Sequence, residues 1–125
     1  MRIISGKYKG KKISPPKDKV TRPLRDLVKE SVFNVIEHSN KTKIYLKNSI
    51  ILDLFSGSGS FGLEAISRGA KKCIFVENYS IAKDVLNMNI KELNCDGFCS
   101  IKNLDCFSYI KNLKNYELKV DIIFL

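Results

Sequence analysis

Apolar residues along the 125-residue chain change their spacing near residue 48. Ahead of that point the pattern is broken: short apolar pieces alternate with Lys and Gly, and Ser14-Pro15-Pro16 ends them with two prolines that a regular ladder does not admit. The expected structure is a small basic β-hairpin, pinned to the body by Ile3, Ile4, Tyr8 and Ile13, with Lys7, Lys9, Lys11 and Lys12 left in solvent. From Leu24 the apolar residues fall at 24, 27, 28, 32, 35 and 36, which predicts an amphipathic helix to about Glu37, with Pro23 at its first turn and Asp26 near its positive end. Residues 40–48 are polar and Lys-rich and read as a connector.

Beyond residue 48, short apolar runs alternate with stretches of helical period, as in a parallel sheet covered by helices. The predicted strands are Ser49 to Phe55, Cys73 to Val76, Phe98 to Ile101 and Val120 to Leu125. The predicted helices are Ser60 to Arg68, ended by Gly69; Ser80, as cap, to Leu93, with apolar positions 81, 82, 85, 86, 90 and 93; and Phe107 to Leu113. The fold class is α/β and Rossmann-like, four parallel strands preceded by a basic hairpin and helix. Two portions follow, 1–48 and 49–125.

With 44% apolar and 28% charged residues the composition is that of one globular domain. No run approaches the ~18 consecutive apolar residues of a membrane span, and the opening lacks the apolar core of an export signal, so a cytoplasmic protein is expected. The net charge of +9 is unevenly placed: residues 1–50 hold thirteen Lys and Arg against four acids, and residues 51–125 hold nine of each. A basic arm ahead of a neutral body suits nucleic acid, because Lys and Arg near phosphates release counterions. Cys73, Cys95, Cys99 and Cys106 show no paired metal-ligand spacing and His38 is the only histidine, so free thiols and no metal are expected.

The candidate chemistry lies in Ile50-Ile51-Leu52-Asp53-Leu54-Phe55-Ser56-Gly57-Ser58-Gly59-Ser60-Phe61-Gly62, a strand, a tight turn and a helix start. Gly57, Gly59 and Gly62 match G-x-G-x-x-G, and Glu77 stands at the end of the next strand, where a carboxylate grips ribose hydroxyls. Asp53 separates the cofactors that use this geometry. A dinucleotide would bring an anionic pyrophosphate toward it, whereas S-adenosylmethionine (AdoMet) brings an ammonium and a sulfonium that a carboxylate attracts. The alternative for Asp53 is a structural residue receiving backbone N–H bonds from the loop, and the two roles are compatible. Asp105, after the third strand, reads either as a helix N-cap or as a contact to the adenine amine.

Together with the opening Arg2 to Lys12, Thr21-Arg22-Pro23 followed by Val28 to Asn34, and Leu52 to Gly59 through Gly62 to Ala70, these features resemble the guanine-N2 methyltransferases of 16S ribosomal RNA, of the RsmD type. The resemblance covers essentially the whole chain. It implies AdoMet as cofactor, held by Asp53, Phe55, Gly57, Gly59, Gly62, Glu77, Asn78 and Asp105. It also implies an RNA face carrying Arg2, Lys7, Lys9, Lys11, Lys12, Arg22 and Arg25, and 16S rRNA or the small ribosomal subunit as partner. Leu24 and Arg25 stand where the family has a Thr and another polar residue.

The resembled family places Asp-Pro-Pro and an aromatic residue directly after its fourth strand, where they hold the guanine amine and stack the base, and this sequence ends at Leu125, just before it. No catalytic residue is therefore assigned within it. Such an end implies a truncated or partial product, self-association through the open strand Val120 to Leu125, and, as an alternative function, a silent RNA- or AdoMet-binding fragment. An NAD-dependent oxidoreductase fits the glycines but neither Asp53 nor the basic arm.

Overall fold

The computed structural model describes residues 1–16, 26–39, 45–113 and 119–125. Its elements are α1 (Asp26–His38), β1 (Ile50–Leu54), α2 (Ser60–Ser67), β2 (Lys72–Val76), α3 (Ser80–Glu92), a single 3-10 turn (Asp96–Phe98), β3 (Cys99–Lys102), α4 (Cys106–Lys111) and β4 (Ile122–Phe124). The four strands form one parallel sheet in the order β3-β2-β1-β4, with Leu52 opposite both Ile74 and Ile123. Strand alternation divides the core in two. Ile51, Cys73, Phe75 and Phe124 face a large cluster shared with α1, α2, α3 and the first thirteen residues. Leu52, Leu54, Ile74 and Val76 face a smaller one with Cys106 and Tyr109 of α4. No helix among the described residues is long and apolar enough to cross a membrane.

The first thirteen residues form the expected hairpin-like arm. Arg2 and Lys12 pair as an antiparallel bridge, and the Ile3 and Ile13 side chains are buried. The arm lies along α2 and is bonded to it at both ends. Near the start of α2, Lys29 Nζ of α1 donates to Arg2 O (2.7 Å) and to Ser60 Oγ (3.1 Å). At its last residue, Ser67, the main-chain oxygen accepts from Lys7 N–H (2.9 Å) and Oγ accepts from Tyr8 N–H (3.0 Å). Gly6, at φ +89°, meets this helix end so closely that a Cβ would collide with the Ser67 carbonyl.

Helix α1 departs from its predicted face. Lys29 and Phe33 are buried and Val32 and Ile36 half-buried, whereas Leu27, Val28 and Val35 of the predicted stripe are 74%, 46% and 60% exposed; Leu24 lies outside the described residues. Two interactions set the rotation. Phe33 joins Phe61 and Phe124 at centroid distances of 6.0 and 5.7 Å. Lys29 reaches Glu64 at 3.3 Å, with both side chains fully buried. A buried ammonium without its partner is far costlier than three exposed aliphatic side chains, so the ion pair decides. Helix α3 also differs in detail: Tyr79 is the N-cap residue and Ser80 the first helical residue, and no side chain caps it.

Glu64 is the junction of this packing. Its Oε1 accepts from Ile4 N–H (2.8 Å) and its Oε2 from Ser5 N–H (3.1 Å) and from Arg68 Nε (2.8 Å). Burial pushes the Lys29 pKa down, and Glu64 opposes that shift. Lys29→Ala is expected to destabilise the fold by roughly 3–5 kcal/mol in urea unfolding, since one partner of a buried pair is removed. A loss below about 1 kcal/mol would show the pair to be dispensable.

Candidate cofactor site

Strand addition reverses at β1, with β2 and β3 on one side and β4 on the other. In an open parallel sheet the crevice for a ligand forms at such a switch point, outside the carboxyl ends of the strands. The β1–α2 loop occupies it. Phe55, Gly57 and Gly59 all have positive φ (54°, 55° and 87°), which turns the chain from strand to helix within a few residues. Phe55 carries a side chain in a conformation that costs roughly 1–2 kcal/mol outside glycine. Two contacts hold it there: its N–H donates to Cys106 Sγ (3.3 Å), and its ring meets Phe107 edge-on at 5.8 Å. At 59 the left-handed φ favours glycine, and at 62 glycine is required by close approach, because a Cβ would strike the Phe75 ring and Cys73 Sγ.

Asp53 is 3% exposed beneath this loop, and its Oδ2 accepts from Gly62 N–H at 3.0 Å. Gly59 offers α2 no side-chain cap, so the carboxylate from β1 satisfies a first-turn donor and meets the positive end of the helix. Burial nevertheless pushes its pKa up to about 7; the Gly62 bond opposes the rise and nearby Glu77 adds to it. Glu77, half-buried at the end of β2, closes the loop from the other side. Its Oε1 accepts from Gly57 N–H (2.8 Å) and its Oε2 from Tyr79 N–H (3.2 Å).

Asp53, Gly57, Gly59, Gly62 and Glu77, singled out from sequence, thus lie at one loop, which two carboxylates brace through Gly62 and Gly57. Asn78 is exposed beside Glu77. Asp105 is exposed and caps α4, its Oδ2 accepting from Ser108 N–H (3.0 Å) and from Ser108 Oγ (3.2 Å). Phe55 connects with that helix through Phe107. Arg2, Lys7, Lys9, Lys11 and Lys12 are exposed along the arm, while Arg22 and Arg25 lie outside the described residues. No group of three or more His, Cys, Asp and Glu side chains among the described residues could hold a metal.

Sequence reasoning missed two polar residues here. Ser56 Oγ is buried beside the loop with no hydrogen-bond partner among the described residues. Asn89, 1% exposed on α3, accepts from Ser14 N–H (2.9 Å) and donates to Ser14 O and Ser58 O (3.0 Å each), tying the arm to the glycine loop. Asn89 had a signal: it falls three residues after Leu86 and seven after Ala82, on the apolar stripe of its helix. A polar residue at such a place needs buried partners.

The chain is 34% identical over its whole length to "Ribosomal RNA small subunit methyltransferase D" of Haemophilus influenzae, of which it covers 62%. It is 37% identical over 98% of its length to the protein of the same name from Buchnera aphidicola subsp. Acyrthosiphon pisum, of which it covers 60%. The chain therefore spans about three-fifths of the length of these relatives. Among solved structures, "Putative methyltransferase yhhF from Escherichia coli" superposes with a TM-score of 0.73 at 31% identity, over 88% of this chain and 55% of that one. The fold is the Rossmann-like one of methyltransferases. On a match that runs from residue 1 to residue 125, the chain belongs to the Cons_hypoth95 family, described as Conserved hypothetical protein 95.

Proposed function

We propose that this chain is the cofactor-binding part of an enzyme that transfers a methyl group from AdoMet to the exocyclic N2 of a guanine in 16S ribosomal RNA. The observation that carries the reading is the carboxylate pair on the glycine loop, Asp53 beneath Gly62 and Glu77 across Gly57. At an effective dielectric near 20, two unit charges about 4 Å apart interact by about 4 kcal/mol. That interaction opposes a pyrophosphate here and favours a sulfonium or an ammonium. The names of the relatives support the same reaction class.

The residues present fit AdoMet. Ser56 Oγ is an unpartnered buried polar atom at the loop, ready to bond the cofactor's amino-acid end. Glu77, with Asn78 beside it, takes the ribose hydroxyls. Asp105 Oδ2 is engaged by Ser108, which leaves Oδ1 for the adenine amine. Phe55 and Phe107 supply apolar surface. The cofactor brings a methyl group on a positively charged sulfur; the chain orients it and holds carboxylates near the charge. The register Asp53 opposite Phe124 brings the end of β4 level with the loop, so an amine-holding motif placed directly after β4 would stand at the same crevice.

Residues 1–48 form the RNA-facing portion in this reading and residues 49–125 the cofactor portion, in a cytoplasmic protein whose partner is 16S rRNA or the small subunit. Strand β4 is one edge of the described sheet, with Ile123 half exposed, and pairs with a second copy when nothing else covers it. A single monomeric species in sedimentation at all concentrations would count against that pairing.

Calorimetric titration with AdoMet tests the reading. Glu77→Ala is expected to weaken binding roughly ten- to a hundredfold, the worth of a hydrogen bond to a charged group, and NAD should not bind. Tighter binding of NAD than of AdoMet would overturn the assignment. AdoMet affinity should rise as pH passes through about 7, where Asp53 becomes charged. Asp53→Asn, which keeps an oxygen for Gly62 N–H, should abolish that rise. Stability of the cofactor-free protein should run the other way. Between the ordinary 3.8 and about 7 the folded state holds the Asp53 proton more tightly than the unfolded one, so this contribution is full below that window and lost as pH rises through it. Thermal melts of the wild type and Asp53→Asn across this range would show a difference in slope; parallel curves would contradict it.

A further inference from the structure

The basic side chains of the arm are not equivalent. Lys7, bonded through its backbone to the far end of α2, lays its ammonium 4.0 Å from the centroid of the Phe98 ring and 5.1 Å from that of Tyr8. Its charge is engaged within the protein. Arg2 and Lys12 are placed differently. They face each other across the arm's single bridge and line one cleft of about 420 Å³, together with Ser14, Pro15 and Asp26. Like charges directly opposite on paired strands repel. Among the described residues the cleft offers them one carboxylate, and Asp26 Oδ2 stands 3.9 Å from Arg2 Nε, with the Arg2 side chain 68% exposed.

The cleft's frame is held firmly. Ile3 and Ile13, next to the two cations, are each 1% exposed, and Arg2 O is fixed by the buried Lys29 ammonium. Ser14 is clamped at both its N–H and its carbonyl by Asn89, which also holds Ser58 O in the glycine loop. The cleft is thus joined to the candidate cofactor site by one buried side chain. At 1.5 Å per residue, the eight residues of α2 set the Ser67 end, where Lys7 docks, about 10 Å farther away.

We infer that this cleft seats a backbone phosphate of the RNA substrate between Arg2 and Lys12, beside the cofactor loop. The inference rests on the reading of the chain as part of an RNA methyltransferase. A phosphate fits because it relieves the repulsion of the opposed cations, and its oxygens match the planar fork of a guanidinium. The partner's position relative to the loop then follows from Asn89, which fixes the cleft to Ser58.

The test is the salt dependence of binding to a fluorescein-labelled stem–loop RNA of small-subunit sequence, read by anisotropy across a potassium chloride series. Arg2→Ala and Lys12→Ala should each reduce the slope of log affinity against log salt by about 0.7–0.9, the loss of one phosphate contact. Lys72→Ala, which removes an exposed charge from the start of β2, should leave the slope at its wild-type value. Both Arg2 and Lys12 side chains are exposed and Arg2 holds Lys29 through its carbonyl, so thermal melts of these variants should match the wild type. Slopes for the two variants equal to that of Lys72→Ala would overturn the inference while leaving the function reading in place. Absence of RNA binding by the wild type, with AdoMet still bound, would overturn both. Displacement of the RNA by polyglutamate at equal charge concentration, lost in the two variants, would assign the cleft to an acidic protein instead.

Discussion

One buried carboxylate organises the molecule. Glu64 is the one charged residue of α2, and its two oxygens collect the Ile4 and Ser5 amides, the Lys29 ammonium and the Arg68 guanidinium. Taking that charge out of water is expensive, and only a full set of donors offsets it. Three separate pieces of the chain must come together to supply the set: the arm, α1 and the end of α2. The arm has little regular structure of its own, so its path follows from where those amides must point. The rotation of α1, which leaves Leu27 and Val35 in solvent, follows from where Lys29 must reach.

The same economy appears at the crevice, where backbone donors that a loop would leave unsatisfied are answered by acids from neighbouring strands. Asp53 receives Gly62 and Glu77 receives Gly57, so the turn between β1 and α2 is braced from below and from the side. These acids are therefore structural in the free protein, and in the proposed function their charges are what favours a cationic ligand. The two properties conflict in Asp53: enclosure steadies the loop while driving its pKa toward neutrality. In the proposed function a cationic ligand would relieve that conflict.

Arm, helix core and crevice are not independent modules. Lys29 bonds Arg2 O and Ser60 Oγ, and Asn89 bonds Ser14 and Ser58, so both residues flanking Gly59 have carbonyl or hydroxyl groups held by side chains that also hold the arm. Two separate buried polar groups, one centred on Lys29 and one on Asn89, thus tie the arm to the loop on either side of Gly59.

The sequence by itself determined the alternation of strands and helices, the place of the glycine turn, the residues that gather around it and the basic character of the arm. Each of these depends on local spacing: apolar period, glycine at sharp turns, an acid at a strand end. What only the tertiary structure decided is where the polar residues inside the core find partners. Lys29 and Glu64 are far apart along the chain, as are Ser14 and Asn89, and nothing in the local pattern marks a lysine in a helix as buried rather than solvated. That choice is made by desolvation, which depends on every neighbour at once, and it overrode the apolar stripe that the spacing of α1 had favoured.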